Sequence, residues 1–210
     1  MQTYSHVIIS AALAKSQKLK GIKAPHFKLS AWIWGSLLPD LGLIILSLAC
    51  IAIDMGRGLS LDPEKPSSES LTWRLFEDWF FHNPWVISLQ NLFHSPLLLG
   101  FFILLAYLLW QRGWQRTTFF FWLFCGCMFH TMIDIPLHHD DGPLLLFPLN
   151  WNLRFHSPLS YWDPRYHGRE FFVFEHLLDL GLILFWLLAY FKRRLGANHR
   201  KRSSDTFRNG

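Results

Sequence analysis

Residues 117–141 read TTFFFWLFCGCMFHTMIDIPLHHDD, a long apolar run that ends in a group of histidines and aspartates. His130 and Asp134 are four residues apart, so on a helix they lie on one face, where an imidazole and a carboxylate can hold one cation. Pro136 predicts the end of that helix, and two more histidines and two more aspartates follow at once. Ionisable groups at the end of a membrane-type helix are costly and usually mark function. This stretch therefore predicts a functional site within a membrane protein.

The composition supports a membrane setting. Of the 210 residues, 51% are hydrophobic and only 17% are charged, against about 25% charged in a soluble domain. The 20 Phe and 11 Trp suit lipid contact and the aromatic belts of membrane proteins. The formal net charge is +5, and the basic residues cluster beside the apolar runs. That pattern fits orientation in a membrane better than contact with nucleic acid, so no nucleic-acid partner is expected.

The cysteines and the first residues exclude two other features. Cys50, Cys125 and Cys127 all lie in apolar runs, so we interpret them as small buried hydrophobic residues without a disulfide framework. The apolar stretch Val7–Leu13 has no basic region before it, so no cleaved signal peptide is expected.

The apolar runs predict an all-α polytopic membrane helix bundle, with four transmembrane helices plus a short N-terminal helix. One membrane-embedded domain is expected over residues 1–195, followed by a basic, disordered cytoplasmic tail over residues 196–210. Pro39 predicts a kink or a break in the first span. The short helix is predicted over residues 3–16, and the spans over residues 31–53, 92–110, 117–137 and 170–191.

The loops predict how the bundle is oriented. Loop 17–29, link 111–116 and the tail all carry excess Lys and Arg, and a four-span bundle places all three on one side. The two long loops, 54–90 and 138–169, then fall on the other side. We therefore expect a multi-pass protein of the bacterial inner membrane, with its basic loops and C-terminus in the cytoplasm.

Every predicted span and the short helix contribute at least one His or carboxylate, and these groups converge on the outer half of the bundle. A charge at the centre of a membrane helix costs about 2.5–3.5 kcal/mol, which a bound cation offsets. The mixture of nitrogen and oxygen donors favours zinc, with manganese or iron as alternatives. The converging residues are His6, Asp40, His94, His130, Asp134, Glu175, His176 and Asp179.

Two metal sites and two other interpretations are open at this stage. One metal would take His6, Asp40, His130 and Asp134, and Glu175 with His138 or His139 would complete a second site. Two metals about 3.5–4 Å apart favour phosphoester hydrolysis. The same groups could instead form an ion or proton path, or pack as structural polar contacts. In the outer loop, Arg154 and Arg165 are candidates for gripping a phosphate head group, with a solvated loop as the alternative.

Several short motifs resemble one family. They are Ser5-His6, Gly35-Ser36-Leu37-Leu38-Pro39-Asp40, Phe93-His94-Ser95, and His130-x3-Asp134 followed by Gly142 and Pro148. In these motifs the chain resembles the YdjM-like group of bacterial inner-membrane proteins, described as metal-dependent hydrolases. That group in turn looks like the zinc-dependent phospholipase C and nuclease class. The loop 138–166 also looks like bacterial membrane proteins that carry a cobalamin-biosynthesis label.

The resemblance implies a membrane-bound metal-dependent hydrolase whose substrate is a lipid or a small-molecule phosphoester. Glu175 would be a ligand or the base that deprotonates the attacking water. The chain departs from the group at Gly42, where a second Asp is common, and over residues 90–93, where Arg-Gly-x-Thr is common. A non-catalytic polytopic membrane protein, either a transporter or an assembly partner, is the competing hypothesis. The metal-ligand candidates are His6, Asp40, His94, His130, Asp134, His138 and His139.

Overall fold

The computed structural model describes residues 1–16, 24–62 and 67–208, with the backbone alone at residues 15–16 and 193–208. Every regular element in these ranges is helical, so the predicted all-α class is confirmed. A π-helical turn joins α3 to α4, and 3₁₀ turns occur at Ile135–Leu137 and Pro164–Tyr166. The helices are α1 (Thr3–Ser16), α2 (Leu29–Gly56), α3 (Leu71–Arg74), α4 (Phe80–His82), α5 (Pro84–Asn91), α6 (Pro96–Gln111), α7 (Thr117–Asp134) and α8 (Gly168–Arg208).

Three segments are long and apolar enough to cross a membrane: Leu29–Gly56, Thr117–Leu137 and Gly168–Lys192. They correspond to three of the four predicted spans. Little of each is covered by the rest of the chain, and in Gly168–Lys192 only 11% is buried. Apolar helices with such exposed faces require lipid around them, because water would meet a continuous hydrophobic surface.

The predicted span over residues 92–110 is wrong in its bounds. The chain instead forms α5 and α6, which meet at an angle of 47° and together pass as one bent span. Pro96 explains the break, because proline has no N–H to donate and forces the preceding residue out of the helical region. Ser95 accordingly has φ −76° and ψ 121°. With this pair the number of spans is three or up to four.

The contacts between helices fix their relative directions. Along α2 and α7, Trp32 lies against Trp122, and the Ser36 carbonyl accepts a hydrogen bond from His130. From the first pair to the second, the residue number increases in both helices, so α2 and α7 are parallel. Along α6 and α7, Tyr107 lies against Phe121, whereas Phe102 lies against Phe124, so α6 and α7 are antiparallel.

A pair of glycines lets α2 and α7 touch backbone to backbone. A Cβ atom on Gly35 would lie 2.1 Å from the carbonyl oxygen of Leu123, and one on Gly126 would lie 2.4 Å from the carbonyl oxygen of Trp32. Small residues at a membrane helix crossing allow this close approach. The crossing brings the Ser36 carbonyl of α2 within hydrogen-bonding distance of His130, which lies one turn after Gly126 on α7.

Two predictions for α2 and the loop after it need correction. The helix continues through Pro39, so of the predicted kink or break the break does not occur. Residues 54–90, predicted as a long loop, contain α3, α4 and most of α5, and the buried Asp54 of α2 caps the start of α3. Its carboxylate accepts hydrogen bonds from the Leu71 and Thr72 amides and from the Ser70 hydroxyl, at 2.8–3.0 Å. These bonds satisfy N–H groups that the start of α3 would otherwise leave without partners.

The last helix also extends further than expected. The backbone of α8 continues to Arg208, beyond the predicted end of the span at residue 191. No proline follows Pro164, so no residue lacks the backbone N–H that the helix needs. The division into a domain over residues 1–195 and a tail remains a prediction. Most of the predicted basic loop, at residues 17–23, lies outside the described residues.

Candidate metal centre

Helix α7 supplies two facing groups near its end. His130 and Asp134 are one turn apart, and Nε2 of His130 lies 3.0 Å from Oδ2 of Asp134. Both residues are buried. The helical spacing thus produces the pairing that the sequence predicts.

Helix α2 adds a second carboxylate. Oδ1 of Asp40 lies 3.4 Å from Nε2 of His130, and its other oxygen accepts a 2.5 Å hydrogen bond from the Thr3 hydroxyl of α1. The Asp40 side chain is 21% exposed, whereas those of His94, His130 and Asp134 are at most 6% exposed. The cluster is therefore least covered on the Asp40 side.

The break between α5 and α6 supplies the fourth group, His94. Its Nε2 lies 3.2 Å from Nε2 of His130, 3.7 Å from Oδ1 of Asp40 and 3.6 Å from Oδ2 of Asp134. His94 lies in the bend between α5 and α6 rather than within either helix. Asn91 holds the break, because its side chain donates to the Ile87 carbonyl and accepts from the Leu144 amide, at 2.9 and 2.8 Å.

Backbone carbonyls determine which nitrogen of each histidine is available. Nδ1 of His130 faces the Ser36 carbonyl at 2.8 Å, and Nδ1 of His94 faces the Gln90 carbonyl at 3.1 Å. A carbonyl only accepts hydrogen bonds, so both Nδ1 atoms must carry a proton. In the neutral rings both Nε2 atoms are then lone-pair donors that point at each other and at two carboxylates. This is the outer-shell arrangement that orients histidine ligands around metals.

The donor set fits a divalent metal. Ligand atoms of Asp40, His94, His130 and Asp134 all lie within 4.8 Å of one another. The five separations given above span 3.0–3.7 Å. A tetrahedral ion with bonds of about 2.0–2.2 Å separates its ligands by about 3.3–3.6 Å. Two imidazoles and two carboxylates are donors that zinc, manganese and iron accept.

His6 lies beside this cluster rather than among its four members. Its ring stacks on that of His130, with centroids 3.6 Å apart, and its Nε2 lies 2.9 Å from Oδ1 of Asp134. That contact lacks hydrogen-bond alignment, and neither ring nitrogen of this fully buried histidine has a hydrogen-bond partner. An unsatisfied buried imidazole next to a carboxylate is consistent with the predicted ligand role of His6.

The histidines after α7 take other partners. Nε2 of His138 is 3.8 Å from Oδ1 of Asp134, and its Nδ1 is 3.0 Å from Oδ1 of Asp141. Nδ1 of His139 faces the Ser157 carbonyl at 2.5 Å, and its ring stacks on Tyr166. His138 thus borders the centre, whereas His139 belongs to the outer loop. Their predicted roles in a second metal site remain predictions.

Glu175 lies between α8 and α1. The carboxylate is buried and accepts a 2.7 Å hydrogen bond from the Gln2 amide. One turn later Asp179 accepts a 2.6 Å hydrogen bond from the Ser5 hydroxyl. These contacts join α8 to α1, and the predicted role of Glu175 as base or ligand remains a prediction.

The two arginines predicted to bind phosphate are held by neighbours. Arg154 donates to the Gly142 carbonyl, and its guanidinium lies 5.7 Å from the centre of the Phe80 ring. Arg165 forms a 2.6 Å ion pair with Asp163, although its side chain is 77% exposed. The role of both in substrate binding remains a prediction.

The loop over residues 138–169 has its own electrostatics. Burial opposes ionisation of Asp141, but contacts with His138 and Trp162 outweigh it and lower the pKa of that carboxyl group. Burial and nearby carboxylates raise the pKa of the Tyr161 hydroxyl. Hydrogen bonds from Arg165 lower the pKa of Asp163. At neutral pH both aspartates are therefore ionised and Tyr161 is neutral.

Some contributors were not among the predicted site residues. They are the carbonyls of Ser36 and Gln90 and the hydroxyl of Thr3, which support the ligands without belonging to the four. Ser36 and Gln90 lie four residues before Asp40 and His94. That spacing could have marked Gln90, because a helix carbonyl faces the residue four positions later. Nothing in the sequence marked Thr3.

The fold and the centre together define a membrane protein of apolar helices with a buried histidine–aspartate cluster, a possible metal-binding site. The chain belongs to the family described as YdjM inner membrane protein, whose model matches residues 1–195. All four cluster residues lie in the matched range. No curated protein matches the chain, and no solved structure matches it.

Proposed function

We propose that this protein is a metal-dependent hydrolase of the inner membrane that cleaves a phosphoester of lipid or small-molecule type. Zinc is the preferred metal, with manganese or iron as alternatives. The metal ligands are Asp40, His94, His130 and Asp134, with His6 and His138 at the edge of the centre.

One observation carries this proposal. The Nε2 atoms of His94 and His130 lie 3.2 Å apart, while both Nδ1 atoms face backbone carbonyls. Two neutral imidazoles so placed repel one another, and either a metal cation between their lone pairs or a proton on one Nε2 relieves the repulsion. Asp40 and Asp134 supply the negative charge that holds such a cation in a low-dielectric interior.

The chain's own residues have distinct tasks in the proposed reaction. A bound divalent metal supplies Lewis acidity toward a phosphoryl oxygen and makes water a stronger nucleophile. Glu175 takes the proton of the attacking water as its oxygen bonds to phosphorus. The phosphorus–oxygen ester bond then breaks, and the departing alcohol takes up the proton from Glu175. Arg154 and Arg165 orient the phosphate from the loop.

We also propose that the protein crosses the membrane four times. Because α2 and α7 are parallel and touch, the end of α2 and the start of α7 lie at opposite ends of the bundle. The bent pair α5–α6 connects these ends, and its 28 residues from Pro84 to Gln111 suffice for a crossing. The basic link and tail then share the cytoplasmic side, as positive residues prefer.

Elemental analysis of detergent-purified protein tests the metal. Wild type should carry one or two equivalents of zinc or manganese, and His130→Ala should lose them. His82→Ala is the matched control, because the His82 side chain is 73% exposed and pairs with Asp78, one turn earlier in the chain. Metal-free wild type after reconstitution, or equal metal in all three proteins, would contradict the proposal.

A phosphoester screen of the metal-loaded protein tests hydrolysis. Turnover that Glu175→Gln lowers by about 10²-fold or more, with metal retained, would support the base role. Metal binding without turnover of any phosphoester would contradict the hydrolase and leave the metal site standing.

One observation favours the competing hypothesis of an ion-coupled or proton-coupled transporter. Oδ1 of the buried Asp179 has no hydrogen-bond partner, and Glu175 lies one turn before it on the same helix. Carboxylates in such a row can pass protons. Proton uptake into liposomes that depends on Asp179, from a protein without metal, would favour the transporter.

A further inference from the structure

An apolar groove lies beside the candidate metal centre, between the end of α7 and the start of α8. Its volume is about 600 Å³, within the usual 300–1,000 Å³ of ligand pockets. The only polar lining residues are Ser157 and Glu170. The groove is lined by Pro136, Leu137, Phe155, Ser157, Pro158, Leu159, Glu170, Phe171 and Phe174.

The groove faces the region that lipid would occupy. The described part of α8 packs on α1 and on the turn Pro164–Tyr166, whereas α7 packs mainly on α2 and α6. The two walls of the groove therefore belong to candidate spans that do not pack along each other. Phe174 is 59% exposed at this opening, which continues into the apolar outer face of α8.

The groove adjoins a residue that borders the candidate metal centre. Pro136 and Leu137 line the groove, and the next residue, His138, has its Nε2 3.8 Å from Oδ1 of Asp134. The Tyr161 ring covers His138, with centroids 4.8 Å apart, and its amide donates to the Leu137 carbonyl at 2.8 Å. The groove therefore adjoins, through Leu137, the histidine that borders Asp134.

The lining selects an alkyl chain over a peptide. A peptide backbone needs hydrogen-bond partners when it is buried. Ser157 already donates to the Pro136 carbonyl at 2.6 Å, and its own carbonyl faces His139. This leaves Glu170 as the remaining polar side chain in the lining. An acyl chain has no polar groups, so it can pass from the bilayer into the groove without losing hydrogen bonds.

We infer that this groove holds an acyl chain of a phospholipid, which enters sideways from the bilayer between α7 and α8. One consequence rests on the proposed function: the phosphate end of the bound lipid lies at the metal centre and is the substrate. The substrate class is therefore a membrane phospholipid rather than a water-soluble phosphoester.

Photo-crosslinking tests the groove without requiring activity. Full-length protein is reconstituted in phosphatidylethanolamine–phosphatidylglycerol vesicles with a trace of phosphatidylethanolamine that carries a diazirine in its acyl chain. Labelled peptides are mapped by mass spectrometry. We expect labelling of the groove residues Phe155, Leu159 and Phe171. Leu159→Trp, which fills the groove, should lower that labelling at least fivefold.

The control variant is Leu177→Trp, because Leu177 is 62% exposed on α8 and does not line the groove. Groove labelling should persist in this variant, and labelling of Phe101 on the outer face of α6 should be unchanged in both variants. Groove labelling that is no stronger than at Phe101, or that survives Leu159→Trp, would overturn the inference.

A kinetic comparison separates this inference from the proposed function. In the metal-loaded enzyme, Leu159→Trp should lower turnover of a long-chain phospholipid at least tenfold and leave a short-chain soluble phosphoester unaffected. Equal effects on both substrates would overturn the substrate class. Absence of any turnover together with specific labelling would overturn the hydrolase and the substrate class, while the lipid groove would stand.

Discussion

At the scale of single residues, the partner of each ring nitrogen decides what a histidine can do. His94 and His130 have Nδ1 on a backbone carbonyl and Nε2 toward carboxylates, so each presents a lone pair to the same small volume. His139 also has Nδ1 on a carbonyl, but its Nε2 faces the exposed loop residue Asp140 at 3.2 Å. A histidine thus belongs either to the centre or to the loop, according to the contact that its Nε2 makes.

Metal binding should stabilise the folded protein measurably. A metal at one hundred times its dissociation constant adds about 2.7 kcal/mol, which for a chain of this size raises Tm by about 5–10 °C. Removing metal with a chelator should lower Tm by that amount, and adding zinc should restore it. Differential scanning of the detergent-solubilised protein measures both steps.

Asp134→Asn should abolish this metal-dependent shift, because the amide replaces a charged ligand oxygen. Asp140→Asn should retain it, since the side chain of Asp140 is 62% exposed and lies in the outer loop. A shift of equal size in both variants would show that the ion acts elsewhere on the protein.

The ion pair of Asp163 and Arg165 should make the outer loop sensitive to acid. The folded-state pKa of Asp163 is lowered by hydrogen bonds from Arg165, below an unfolded value of about 3.9. A carboxyl group shifted in this direction contributes stability above the unfolded pKa and loses it as pH falls through the folded pKa. Wild type should therefore have a higher Tm than Asp163→Asn at pH 6–7.

The difference in Tm between these two proteins should shrink as the pH falls below about 4. Melting curves at steps from pH 3 to pH 7 measure it. A difference that stays constant over this range would mean that Asp163 stabilises the loop through packing alone.

At the scale of helices, the contact of α2 with α7 positions the centre. The backbones touch at Gly35 and Gly126, and one turn further on the Ser36 carbonyl meets His130. Asp40 follows one turn later on α2 and faces His130. The distance between the ligands of the two helices is therefore set by residues that are not ligands.

Gly126→Ala should separate these helices and weaken the centre. The new Cβ would lie 2.4 Å from the Trp32 carbonyl oxygen, and backbone atoms cannot swing aside as a side chain can. Overpacking of this kind typically costs about 1–3 kcal/mol. We expect a lower Tm and a reduced metal content in the same variant.

Gly181→Ala on α8 is the matched control, because a Cβ there would meet nothing within 4 Å. It should leave both Tm and metal content unchanged. Normal metal content in Gly126→Ala would show that the centre tolerates movement of α7 relative to α2.

The sequence predicts the elements better than their junctions. Long apolar runs mark α2, α7 and the start of α8, and the i, i+4 spacing marks His130 with Asp134, because both signals are local. The break before Pro96 falls within a predicted continuous span, because the apolar run continues across it. The extension of α5–α6 back to Pro84 and the contact of Asp54 with α3 depend on tertiary packing, which composition does not record.

At the scale of the whole molecule, helix directions link the centre to the membrane topology. The Trp32 side chain of α2 donates to the Ser10 carbonyl of α1, and Asp40 accepts from Thr3, so α1 and α2 are antiparallel. Gln2, just before α1, and Ser5 of α1 contact Glu175 and Asp179 in the same order, so α8 is parallel to α1. Thus α2 and α7 point one way, and α6 and α8 point the other.

These directions predict an alternating four-span topology that reporter fusions can measure. Residues near 60 and near 150 should lie outside the cytoplasm, so alkaline phosphatase fused there should be active. Residues near 114 and the end of the chain should be cytoplasmic, so a fluorescent protein fused there should mature. Arg112 and Arg116 favour this arrangement, because basic residues prefer the cytoplasmic side.

The alternative topology makes α5–α6 a re-entrant pair, which would place residues 60 and 114 on the same side. Since α2 and α7 would then enter from opposite sides, they could not be parallel and still share the crossing at Gly35 and Gly126. Active phosphatase at both positions would therefore refute the four-span topology and the helix arrangement that builds the metal centre. Reversed activity at all four positions would instead retain the crossings and overturn only the orientation.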